Sequence, residues 1–130
     1  MSQKPIELIL MRQLASSLAM PIFLIDAEGT LAFYNEPAER VLGMRFEDTG
    51  EMPAGEWSAR WELSDVDGRP LAPTQAPLMI ALAERRPAHV KLWIRGLDGA
   101  RRRIDVTAFP LTRLGDQVVG AVALFWETAS

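Results

Sequence analysis

The chain has 130 residues, a formal net charge of −3 and no cysteine. That length suits one domain with a core needing no covalent staples; the missing thiols exclude disulfides, thiolate metal sites and Cys nucleophiles, and the acidic balance gives no general attraction to nucleic acid or anionic membrane. No apolar run approaches the ~18 residues of a membrane span, and the N-terminus lacks the charged start and small-residue cleavage site of a signal peptide, so a cytoplasmic protein is expected, with neither nucleic acid nor membrane as partner.

Residues 5–19 predict a helix that opens at Pro5. Ile6, Ile9, Leu10, Leu14 and Leu18 fall on helical spacing, while Leu8, Met11, Ala15 and Ala19 carry the apolar surface well round the cylinder. Only Arg12, Gln13 and Ser16 make a polar strip. A helix resting on one core needs an apolar stripe over about a third of its girth; the surplus predicts two contacts, one with its own domain and one with a partner. Residues 1–20 are accordingly read as an amphipathic dimerisation helix, with Ile6, Leu10, Met11, Leu14 and Leu18 as the candidate homodimer interface and 21–130 as the domain proper.

The next stretch is the most informative. Ile22 to Ile25 is an apolar strand that stops at Asp26-Ala27-Glu28-Gly29, and Leu31 to Tyr34 is a second strand that stops at Asn35. Asn35 is a good N-cap, Pro37 is tolerated in a first helical turn, and Gly43 is a natural helix terminator. Residues 44–74 are less periodic: one or two helical turns are expected near 46–58, then a short extended piece at Trp61-Glu62-Leu63 before an Asp67-Gly68 turn. A helix over 75–86 follows, capped by Thr74 and packing through Leu78, Ala81 and Leu82.

The remainder reads as three strands. His89 to Arg95 alternates, Gly96 to Gly99 makes a hairpin loop, Arg101 to Leu111 is a longer strand, and residues 113–116 turn the chain. Val118 to Trp126 is apolar on both faces, as befits a central strand covered on both sides. Two strands and then three, separated by helices, predict an α+β fold: a five-stranded antiparallel sheet with helices on one face and the N-terminal helix outside it.

No catalytic constellation is present, and no enzyme is expected. The lone histidine, His89, has no Ser or Asp placed beside it by the sequence, and no Gly-rich phosphate loop exists. Asp65 and Asp67 read as turn residues rather than a metal loop, since no further ligands follow at calcium spacing. Arg101-Arg102-Arg103 is split across two strand faces by alternation and forms no single basic patch.

The strand, Asp26-to-Gly29 turn, second strand ending in Asn35, and helix ending Leu42-Gly43 resemble the opening of the PAS domain family of sensory modules. Asp67-Gly68-Arg69-Pro70-Leu71 ahead of Pro77-Leu78 and Ala81-Leu82, the Asp98-Gly99 turn before a strand ending Phe109-Pro110-Leu111, and Gly120 to Phe125 are similar to the family's later segments. The resemblance covers about residues 18–127 and implies the PAS fold. It implies a sensory or regulatory module that dimerises, relays a signal to an effector such as a kinase or cyclase domain, and binds a small ligand in its core. The alternative is an interaction module with a filled core and no ligand. The tail, Trp126-Glu127-Thr128, departs from the family's Asp-x-Thr ending, and both a stand-alone sensor and one module of a larger protein fit.

Cofactor expectations follow from the same resemblance. The flavin photosensors and the photoactive yellow proteins of the family use a cysteine, which this chain lacks; haem-binding members place a histidine on the helix corresponding to 75–86, which has none. Both cysteine-dependent photochemistries are therefore excluded, a non-covalent flavin or a small metabolite stays open, the cofactor is left unknown, and no metal site is expected. A pocket would lie between the inner sheet face and the middle helices, with Phe23, Ile25, Ala32, Tyr34, Leu78, Leu82, Leu92, Ile94 and Val106 as candidate lining. Tyr34 is its best polar handle, because a buried phenol needs a partner that a ligand can supply.

Overall fold

The computed structural model describes residues 4–114 and 116–128. The predicted turn at 113–116 thus includes Gly115, which lies outside the described residues. The helices are α1 (Ile6–Ser16), α2 (Glu36–Leu42), α3 (Phe46–Thr49), α4 (Ala54–Arg60) and α5 (Pro77–Glu84). The strands are β1 (Ile22–Asp26), β2 (Leu31–Tyr34), β3 (Ala88–Arg95), β4 (Arg101–Arg113) and β5 (Gln117–Glu127). They form one antiparallel sheet in the order β2-β1-β5-β4-β3. β5 is central, and its inner and outer residues join different cores, which is why its sequence is apolar without alternation.

The sheet separates two hydrophobic layers. On the inner face, Phe23, Ile25, Tyr34, Leu92, Ile104 and Phe125 pack with Trp57, Trp61, Leu78 and Ala81 from the 44–84 region. On the outer face, Ile22, Leu24, Ala32 and Val122 are covered by Ala15 of α1, with Met11 packed against them. Gly120 marks where α1 sits down: a Cβ there would lie 2.5 Å from the Ile25 carbonyl oxygen and 3.0 Å from Leu8 Cδ2, so only glycine allows that approach.

Asn35 ties these parts together. Its carboxamide nitrogen donates to Ala15 O and Met20 O, both at 2.9 Å. Its side-chain oxygen accepts from Ile22 N at 3.0 Å and Ala38 N at 3.2 Å. The residue is 2% exposed, and three of these four bonds, those with Ala15 O, Ile22 N and Ala38 N, are buried where water does not replace them. The predicted N-cap of α2 is therefore also the clasp that holds the end of α1 against β1.

Two expectations are corrected. The helix predicted over 75–86 is not capped by Thr74; Pro73–Gln75 forms a single 3-10 turn, and Pro77 begins α5 after Ala76. The predicted helix over 5–19 ends at Ser16, with Ser17 as its C-cap. Arg12, on the expected polar strip, is exposed and places its guanidinium 4.5 Å from the Phe33 ring centre and 5.7 Å from that of Phe46, a favourable cation–π contact.

The β3–β4 hairpin is fastened to α2. Leu97 N donates to Leu42 O at 2.8 Å. The next residue, Gly43, has a φ of 81°, and a Cβ there would lie 2.7 Å from Asp98 N, so both the turn and the close approach require glycine. Arg102 donates to Asp98 at 2.9 and 3.2 Å and to Val41 O at 3.1 Å. The Arg102 guanidinium, and then the Ala100 N–H, hold the Asp98 carboxyl at about 2, against an ordinary 3.8. Because the folded value is depressed, its stabilising contribution is complete above the ordinary value and disappears as pH falls through about 2. Arg102→Met should raise the Asp98 carboxyl toward the ordinary range, the Ala100 N–H still holding it somewhat down, in a carbon-detected NMR titration; an unmoved midpoint would show that the guanidinium is not the cause.

Candidate functional site

Beneath the inner sheet face lies a small apolar cavity of about 60 Å³. Phe23 reaches it from β1, Trp57 from α4, Trp61 from just beyond α4, and Leu78 from α5; Leu92, Ile94, Ile104, Val106, Ala123 and Phe125 supply the sheet side. No polar atom faces it. The two indole N–H groups are spent elsewhere, Trp57 on Gly29 O at 3.0 Å and Trp61 on Leu42 O at 2.9 Å. Water therefore finds no partners inside, and an apolar molecule finds no competitor.

An aromatic cluster forms one wall. Phe23 stacks on Tyr34 with ring centres 5.8 Å apart, and Trp61 meets both edge-on at 6.0 and 5.9 Å. Phe46 meets Tyr34 at 5.4 Å. Such offset and edge geometries add specific attraction to the burial and fix the wall in place.

Five of the nine expected lining residues, Phe23, Leu78, Leu92, Ile94 and Val106, surround this cavity. Ile25 is fully buried in the same core without reaching the cavity, and Leu82 is half-buried at the core's margin. Ala32 is a correction, for it lies on the opposite face with Ile22, Leu24 and Val122. Leu24 pairs with Phe33 but Ile25 pairs with Leu31, so Ala32 is the extra residue of a β-bulge and alternation counted back from Tyr34 fails there. Tyr34 is a second correction: its hydroxyl donates to Met44 O at 2.8 Å and lies 3.3 Å from Thr49 Oγ1. It needs no ligand, and burial pushes its phenol above the ordinary value.

Trp57 and Trp61 are the lining residues that strand periodicity could not deliver. They sit four apart, the one signal available in an otherwise aperiodic stretch. His89 lies on the outer face of β3, half exposed, with Nε2 3.4 Å from Asp105 Oδ1 and its ring centre 6.2 Å from Trp126. Among the described residues, no group of three or more His, Asp or Glu is placed to hold a metal ion, and no helix is long and apolar enough to cross a membrane.

The candidate dimer residues divide. Ile6, Leu10, Leu14 and Leu18 are exposed, by 62, 56, 51 and 38%. Met11 is a correction: it packs against the outer sheet layer with Ala15, because it lies on the same side of the helix as Leu8 and Ala15. Ile9, 46% exposed, joins the outward stripe instead. α1 is held in this attitude by paired contacts from Arg113 to Glu7 at 2.8 and 3.2 Å, and by Lys4, 3.2 Å from Glu51 and 3.6 Å from Asp26.

A five-stranded antiparallel sheet enclosing an apolar hollow on one face and carrying a helix on the other defines a small α+β domain. The chain has the PAS fold. No protein-family model matches the sequence, and no curated protein matches it. Among solved structures it is similar to the PAS domain of a protein from Colwellia psychrerythraea, with a TM-score of 0.66 and 17% identity over 93% of this chain and 96% of that one. It is also similar to the Rhodobacter sphaeroides LOV protein, with a TM-score of 0.74 and 17% identity over 96% of this chain and 69% of that one. The PAS domain of the fruit-fly ELK potassium channel matches with a TM-score of 0.73 and 11% identity, over 95% of this chain and 98% of that one. At these identities the likeness speaks for the fold.

Cofactors of flavin or haem size do not fit this core. Ordinary small-molecule sites measure roughly 300–1,000 Å³, and this one offers about 60 Å³ without a polar group.

Proposed function

We propose that this is a non-catalytic regulatory PAS module of the cytoplasm that pairs with a second copy of itself through the outward stripe of α1. In this reading it relays a signal to an effector such as a kinase or cyclase domain, and the core cavity is where a small apolar molecule enters. One observation carries the pairing. Among the described residues, five of the eight exposed large hydrophobics, Ile6, Ile9, Leu10, Leu14 and Leu18, belong to α1 or the two residues that follow it. The opposite side of the same helix already serves its own sheet. An apolar stripe concentrated on one helix marks an interaction surface rather than scattered exposure.

Leu10→Glu combined with Leu14→Glu tests the pairing. Across a two-fold axis the stripe meets itself, so the added charges would face each other. We expect a monomer by light scattering, with unchanged circular dichroism because neither side chain supports its own sheet. A double variant with the mass of the wild type, or a wild type that is monomeric at high concentration, would sink the dimer. The smallness of the cavity favours a second reading, an interaction module whose core takes no ligand. Xenon-induced shifts of the Leu78 and Ala123 methyl signals support an accessible hollow; silent methyls leave the interaction module as the better account.

A further inference from the structure

A second recess lies along the edge of β3, at the margin of the inner core. Residues 61–71 add themselves to that edge: Ser64 exchanges backbone bonds with Trp93 at 2.8 and 3.0 Å, and Arg95 N donates to Trp61 O at 2.9 Å. The segment folds back on itself, with Leu71 N donating to Leu63 O at 2.9 Å. Its turn is braced by Asp65, whose Oδ1 accepts from Asp67 N and Arg69 N, both at 2.9 Å. Between this segment and the end of α4 is a cleft of about 340 Å³, within the range of ordinary small-molecule sites, roughly 300–1,000 Å³.

The lining is chemically divided. Leu63, Leu71 and Ile94 give it an apolar floor, while Ser58, Glu62, Ser64, Arg95 and Arg101 are its polar side chains, with the Ser58 hydroxyl spent on Ala54 O at 2.8 Å. Glu62 is already engaged by Arg95 at 3.3 Å, so those two charges largely cancel. Arg101 forms no ion pair among the described residues, and its guanidinium carbon lies over the Trp93 ring, 4.4 Å from the ring centre. Stacking restricts an otherwise mobile side chain and leaves its planar fork of donors free, the arrangement that suits a carboxylate. The Ser64 hydroxyl, on a residue 9% exposed, has no protein partner among the described residues.

The geometry points to a binding site for a single carboxylate carried on a short aliphatic body, held by Arg101 and Ser64 with the body against Leu63, Leu71 and Ile94. One net positive charge next to a standing carboxylate, that of Glu62, favours a monoanion over a phosphate dianion. The walls are braced before any ligand arrives, which lowers the ordering cost of binding. The site shares Leu63 and Ile94 with the wall of the core cavity but opens at the sheet edge, and it includes no residue of the α1 stripe.

The test is an NMR titration of the nitrogen-labelled full chain with sodium butyrate, reading the amides of Ser64, Gly68 and Arg95 and the Arg101 Nε. Saturable shifts confined to these groups are expected, with none from butyramide at the same concentration. Arg101→Gln should weaken binding at least about tenfold, since a hydrogen bond to a charged group is lost. Ser64→Ala, which leaves the Arg101 stack on Trp93 untouched, should weaken it by roughly three- to tenfold. An acidic peptide capped at both ends forms a second arm. Butyrate binding assigns the site to a free small acid, and peptide binding alone assigns the same carboxylate recognition to a partner's Asp or Glu. Absence of saturable shifts in both arms, equal shifts from butyramide or sodium chloride, or unchanged affinity in Arg101→Gln would overturn the proposal.

Discussion

Replacing Asn35 with alanine is expected to cost about 3–5 kcal/mol of stability, among the largest losses a polar substitution can cause here. The carboxamide satisfies two carbonyls, those of Ala15 and Met20, and two N–H groups, those of Ile22 and Ala38. Asn35 is 2% exposed, so few waters can take over, and orphaned buried groups cost about 1–3 kcal/mol each. Urea unfolding measures the loss, and hydrogen exchange should show α1 amides losing protection first. Asn35→Asp separates acceptor from donor. It keeps the bonds from Ile22 N and Ala38 N but turns a carboxylate toward two carbonyl oxygens. That repulsion eases on protonation, so the aspartate variant should gain stability relative to wild type as pH falls. A loss below about 1 kcal/mol in Asn35→Ala would show that the clasp is not structural.

Trp61→Ala is the second large effect, expected at about 3–5 kcal/mol. Trp61 is 2% exposed, lines the core cavity and meets Phe23 and Tyr34 edge-on. Its lost hydrogen bond matters less, because Leu42 O also accepts from Leu97 N at 2.8 Å. Most of the cost is thus the void, which merges with the existing hollow of about 60 Å³. A void of that shape should take the missing ring back: added indole is expected to raise the melting temperature of Trp61→Ala, by linkage to the folded state. Leu8→Ala, which opens space on the other side of the sheet, should not respond. A Trp61→Ala protein indifferent to indole would mean that the core collapses around the deletion instead.

Much of the fold is legible in the sequence because each local signal agrees with the next. The strands at 22–25 and 31–34, the Asn35 cap, the Gly43 stop and the three final strands are written in periodicity and turn chemistry, and the unbroken apolar run at 118–126 announces a strand covered on both sides. The failures are equally physical. Alternation misplaces Ala32 because a bulge is a property of two paired strands and leaves no mark on one of them. Tyr34 reads as a ligand handle because its partner, the Met44 carbonyl, is backbone and carries no residue signal. Spacing turns Met11 outward because a helix apolar nearly all round does not say which side its own sheet takes; Gly120 and Leu8 decide that.

The candidate sites are less legible than the fold. Five cavity residues follow from strand and helix spacing, but Trp57 and Trp61 come from the aperiodic middle, where position depends on how the chain returns to the sheet. No sequence pattern announces the edge cleft, since it joins Ser64 and Glu62 to Arg101 across the β3 edge. By itself the sequence determined the elements, their order and the excess apolar surface of α1, because these rest on short-range spacing and composition. Only the tertiary structure decided which face of α1 is spent on the sheet, how little space the core retains, and that Arg101 stands beside a cleft with no ion pair among the described residues. Those are outcomes of packing between segments distant in the chain, and no local pattern encodes them.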